Sequence, residues 1–136
     1  MDLLTILTAD YANIAVGDKL NVMGIFRSIT AKQFPARHPT MHLVIKLAAT
    51  LGEYGQERLM TIKLFEPDGD EILSYPVIIK VPEGKGGLRP EINAVIEMRD
   101  VIFPHPGRYE FVVLVDKDVK GTYSLEVIQA EPPASS

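Results

Sequence analysis

The stretch Phe103 to Val127, FPHPGRYEFVVLVDKDVKGTYSLEV, limits what this chain can fold into more than any other segment. Phe103 ends an apolar run, and Pro104, Pro106 and Gly107 break the chain. Tyr109 to Val115 then forms an almost wholly apolar run rich in β-branched residues. A run of this length bounded by turn signals reads as a buried central strand. Lys117 to Gly121 turns the chain, and Tyr123, Leu125 and Val127 alternate with Thr122, Ser124 and Glu126, so the returning strand has one wet face. A buried strand beside a half-wet one predicts a two-layer β-sandwich.

The same reading extends along the chain. Leu3 to Ile14 and Lys19 to Phe26 are strand-like and flank Gly17-Asp18, which predicts a hairpin. Gly24, inside the second strand, marks a bulge or a close backbone approach. The segment from Arg27 to Pro39 is long enough to cross from one sheet to the other. Met41, Leu43, Ile45 and Leu47 alternate with polar residues, as do Met60, Ile62 and Leu64, and Pro67-Asp68-Gly69 has the chemistry of a β-turn. Leu73 to Val81 keeps one phase through Pro76, which cannot donate to a ladder, so an edge strand is expected. Glu83 to Pro90 is a glycine-rich loop. Ile92, Ala94, Ile96 and Met98 share a face, whereas Val101 and Phe103 fall in the opposite phase, which predicts a bulge or bend near Asp100. No segment joins helical periodicity to capping signals. The expectation is an all-β antiparallel sandwich of about eight strands with little or no helix: one domain over residues 1–129 and a disordered tail over 130–136.

Two resemblances sharpen this. Pro106-Gly107 followed by Tyr109 resembles the tyrosine corner of immunoglobulin-like sandwiches, in which the phenol bonds to upstream backbone. That gives Gly107 and Tyr109 structural roles. With neither Cys nor Trp in the chain, only the broad architecture carries over. The strings ADYA at Ala9 to Ala12, KLNVMGIF at Lys19 to Phe26, FPARHPTMHLVI through Ile45, and FPHPGRYEF together resemble a family of small bacterial proteins of unknown function. The resemblance implies a compact, mostly β domain and brings no activity, cofactor or catalytic residue with it.

Composition removes several function classes. A chain of 136 residues can bury one core without metal or disulfide staples. A net charge of −4 and a pI near 5.3 give no long-range attraction to nucleic acid or anionic lipid, so neither is expected as a partner. The opening MDLLTILTADYA lacks a basic leader and is too short for a membrane span. With no cysteine, thiol catalysis and Cys-ligated zinc are excluded, and the cytoplasm is the simplest compartment.

The residues that could carry chemistry are few. His38, His42 and His105 lack the short-spaced ligand pairing of a metal motif, so neither metal nor cofactor is expected. Asp10 and Tyr11, with Asn13 and Asn21 across the hairpin, form a polar cluster that satisfies backbone groups and fixes register; no catalytic set is assigned. Lys85 and Arg89 place two cations on the Glu83–Pro90 loop of an acidic chain, a local reversal suited to an acidic protein partner. The leading expectation is a non-enzymatic protein-interaction module. The alternatives are a small-ligand-binding or hydrolytic protein using Asp10, Tyr11 and the histidines, and a structural component of a phage or secretion assembly, with homo-oligomerisation open.

Overall fold

A computed structural model describes residues 1–131. Nine strands run in chain order: β1 (Asp2–Ala15), β2 (Lys19–Phe26), β3 (Ser28–Ala31), β4 (Ala36–Ala48), β5 (Glu57–Phe65), β6 (Glu71–Lys80), β7 (Glu91–Phe103), β8 (Gly107–Val115) and β9 (Asp118–Gln129), with one 3-10 turn at Leu51–Glu53. They form two sheets, ordered β2-β1-β4-β7 and β3-β9-β8-β5-β6. This is the two-layer β-sandwich that the strand pattern predicts. Alternating side chains of both sheets meet between the layers: Met41, Leu43, Ile45 and Leu47 from β4 face Met60, Ile62 and Leu64 from β5 and Phe111, Val113 and Leu125 from β8 and β9, all fully buried. Each such side chain contributes about 1.5–3 kcal/mol by leaving water.

The long strand β1 serves two partners in turn. Asp2 to Ala9 pairs with β4, and Thr8 to Ala15 pairs with β2. At the point of handover Asp10 lies opposite Gly24, whose φ of 70° suits glycine. A Cβ there would stand 2.4 Å from the Asp10 carboxylate, so the close backbone approach has a named cause. The hairpin tip then reaches β7, where Asn93 Nδ2 donates to Asp18 O over 2.8 Å.

Three details differ from, or refine, the sequence reading. The segment after β2 does change sheets, but it holds a short extra strand, β3, which pairs parallel with β9 from Ser28↔Glu126 to Ala31↔Gln129. Four residues inside a proline-bearing loop leave no periodic signal. Secondly, β8 is central yet buried on one face: Val112 and Leu114 are half-buried on the outside of a sheet that no further layer covers. Thirdly, the phase change in β7 is a bend without a bulge. Asp100 has φ of 55°, and β4 changes phase at the facing Pro39, so Ala36 and Phe103 point inward together in unbroken register. The strand containing Pro76 lies at a sheet edge. Of the expected tail, residues 132–136 lie outside the described residues, and Ala130 N–H donates to Ala31 O. Among the described residues no helix is long and apolar enough to cross a membrane.

Candidate functional site

Two turns at one end of the sandwich form the most chemically distinctive site. The β5–β6 turn is closed by Gly69 N–H donating to Glu66 O (2.8 Å) and Glu66 N–H donating to Asp70 O (2.9 Å), which leaves Pro67 and Asp68 at the tip. The β7–β8 corner is held by Tyr109, fully buried, whose hydroxyl donates to His105 O over 2.6 Å and lies 3.3 Å from His105 N–H. Burial pushes the phenol above its ordinary pKa. The Tyr109 ring packs edge-on against Phe103 at 4.9 Å. Gly107, at φ 145°, lets the two turns touch, since a Cβ there would stand 2.6 Å from the Pro67 ring.

This packing brings His105 to the carboxylates of the other turn. Its Nε2 lies 3.8 Å from Glu66 Oε2 and 3.7 Å from Asp68 Oδ2, and the three donor atoms sit within 4.8 Å of one another. The Asp68 side chain is open to water, whereas that of Glu66 retains 10% of its exposure. The Glu66 carboxyl has a side-chain hydrogen bond with that of Asp68. Its pKa is raised, first by loss of hydration and then by Asp68 beside it. One imidazole nitrogen and two carboxylate oxygens facing a common point can hold a cation.

The other residues singled out from sequence fall elsewhere. His42 Nδ1 is 3.2 Å from Asp10 O, and its ring meets Tyr11 edge-on at 5.2 Å. Tyr11, Asn13 and Asn21 form a ladder, with Asn13 Nδ2 donating to Tyr11 Oη and Asn21 Nδ2 to Asn13 Oδ1. The Asn21 bond ties β2 to β1 and the His42 contact ties β4 to β1, whereas Asn13 and Tyr11 share β1. Asp10 and His38 line an open groove with Phe26 and Ile29, so the three histidines occupy separate places. Lys85 and Arg89 line another groove. Arg89 is already engaged: its guanidinium donates to Ala48 O, Ala49 O and the Asp2 carboxylate.

Residues 4–128 match the family of unknown function DUF6941. The chain belongs to this family. No curated protein matches it. Among solved structures, it is similar to an immunoglobulin-like protein from Pseudomonas aeruginosa, at 13% identity and a TM-score of 0.43 over 91% of this chain and 97% of that one. It is also similar to an alkylpurine DNA glycosylase from Pseudomonas fluorescens bound to DNA with an abasic-site analogue, at 18% identity and a TM-score of 0.46 over 74% of this chain. The match spans 27% of the glycosylase.

In this DUF6941 chain the carboxylate–histidine cluster has no local sequence signature: the histidines are dispersed, and Asp68 stands in the sequence as a turn residue. The cue was the pair of turns itself: Pro67-Asp68-Gly69 and Pro104 to Gly107 are the two sharpest breaks between buried strands. Nothing in the spacing says that they meet.

Proposed function

We propose that this chain is a non-enzymatic protein-interaction module, which takes an extended segment of a protein partner along the open side between β6 and β7. The supporting observation is a groove of about 620 Å³ bounded by these two strands, each the last of its sheet. Tyr75, Val77 and Ile78 line it from β6, and Ile92, Val95 and Ile96 from β7. Ile78 keeps 68% of its exposure and Tyr75 45%, a large apolar presence for a strand edge facing water. Pro76 interrupts the β6 edge, so the main-chain ladder for an incoming strand is supplied by β7, which carries no proline between Glu91 and Phe103. A strand added there gains backbone hydrogen bonds from β7 and side-chain contacts from both walls, which selects segments with apolar residues at alternate positions.

Selection of random peptides on the purified protein tests this reading. The expected winners alternate apolar residues, protect β7 amides from hydrogen exchange, and lose about tenfold or more in affinity when Tyr75 and Ile78 are both replaced by Lys, with the unfolding free energy within about 0.5 kcal/mol of wild type. Failure to enrich any peptide, or peptides that bind the double variant undiminished, would overturn it.

A further inference from the structure

We propose that Glu66, Asp68 and His105 bind one first-row divalent transition cation, which ties the β5–β6 turn to the β7–β8 corner. His105 Nδ1 lies 3.3 Å from Pro106 O, a carbonyl that can only accept, so in the neutral ring with its hydrogen on Nδ1 the Nε2 lone pair faces the carboxylates. Metal-bound histidines are oriented in this way, with the far ring nitrogen donating to a carbonyl. Three potential ligand atoms then converge within 4.8 Å of one another, and one cation between them would satisfy all three.

Glu66 supplies the second, independent observation. Its side chain keeps 10% of its exposure, and its Oε2 stands 3.8 Å from His105 Nε2. A carboxyl held this far from bulk water is compensated by a cation at the point it shares with Asp68 and His105. At 3.7 and 3.8 Å from Nε2 the two carboxylates lie beyond hydrogen-bonding range of the ring. Donor atoms around an ion at about 2.1 Å stand about 3.0–3.4 Å apart, which small rotations of the exposed Asp68 and His105 side chains would reach. The mixture of one imidazole nitrogen and two carboxylate oxygens suits Mn²⁺, Fe²⁺, Co²⁺ or Zn²⁺ rather than Ca²⁺. Water reaches the site from the Asp68 side, so the remaining coordination positions lie open to solvent.

The supporting scaffold is built before any ion arrives. Tyr109 pins the His105 main chain, and the contact between Gly107 and Pro67 fixes the distance between the turns. Replacement of the His105 side chain therefore leaves the corner's backbone bonds in place.

Titration of the chelator-treated full chain with CoCl₂ and with ZnCl₂ is the test. The expected result is one saturable site per chain, ligand-field absorption from bound Co²⁺, and a rise in the thermal midpoint with added Zn²⁺. His105→Gln and Glu66→Gln should each weaken binding by roughly tenfold or more, while His42→Gln binds as wild type. Circular dichroism and the metal-free urea midpoint show whether each variant is folded. Asp68→Asn, at an exposed side chain, provides a ligand deletion that spares the packing. Absence of saturable binding by the wild type, or equal binding by the Glu66, Asp68 and His105 variants, would overturn the proposal, as would loss of binding in the His42 variant alone.

Discussion

Tyr109 shows how one side chain can decide a corner. Its ring is fully buried against Phe103, so the hydroxyl must find a partner inside the protein, and His105 supplies a carbonyl at 2.6 Å and an N–H at 3.3 Å. Tyr109→Phe keeps the ring and leaves both main-chain groups without their partner. It should lower stability by about 1–3 kcal/mol, read as a fall in urea midpoint with an unchanged slope; an unchanged midpoint would mean that water replaces the hydroxyl at no cost. A second tyrosine acts between the layers. Tyr123 of β9 donates to Phe26 O over 3.0 Å and lies 3.2 Å from the Thr8 hydroxyl, which itself donates to the same carbonyl. The Tyr109 contact follows from the Pro-Gly-x-Tyr spacing. The Tyr123 contact joins residues on different sheets, and its place in an alternating strand marks it only as apolar core.

At the scale of the element, the 3-10 turn after β4 is held by charge. Glu53 accepts hydrogen bonds from Thr50 N–H (2.9 Å) and Thr50 Oγ1 (3.0 Å), and Arg58 and the N-terminal amine stand beside it. The Thr50 backbone bond is the largest cause of a Glu53 pKa held below its usual range. A carboxyl more acidic in the folded chain than in the unfolded one stabilises the fold above its unfolded pKa. That contribution fades as pH falls through the lowered folded value. Urea midpoints measured from about pH 7 down to about pH 3 should therefore show an acid limb that is shallower in Glu53→Gln, and the variant should be less stable at pH 7 by about 1 kcal/mol. Parallel acid limbs in the two proteins would exclude Glu53 as a source. The neighbouring loop shows the limit of reading an element from its composition. Glycines and two cations suggested a free basic surface, but Arg89 is drawn in to bond two carbonyls at the end of β4 and the Asp2 carboxylate.

For the whole molecule, topology sets the folding rate. Apart from the hairpins, the strand pairs join segments far apart in sequence: β1 with β4, β4 with β7, β5 with β8, and β3 with β9. Loop-closure entropy must be lost before these pairings stabilise anything, so refolding in stopped-flow mixing should take milliseconds to seconds. A microsecond phase carrying the full amplitude would contradict the sheet order. Local sequence was enough to establish the all-β class, the β1–β2 and β8–β9 hairpins, the edge position of the strand with Pro76, the bend near Asp100 and the Tyr109 corner. Each rests on alternation, turn chemistry or backbone stereochemistry, which act over a few residues. The sheet order, the parallel pairing of β3 and the uncovered outer face of β8 depend on which distant strands pair and stack. The meeting of Glu66 and Asp68 with His105 has the same origin: two turns remote in sequence touch because the strands that carry them share one core, and no local rule encodes that distance.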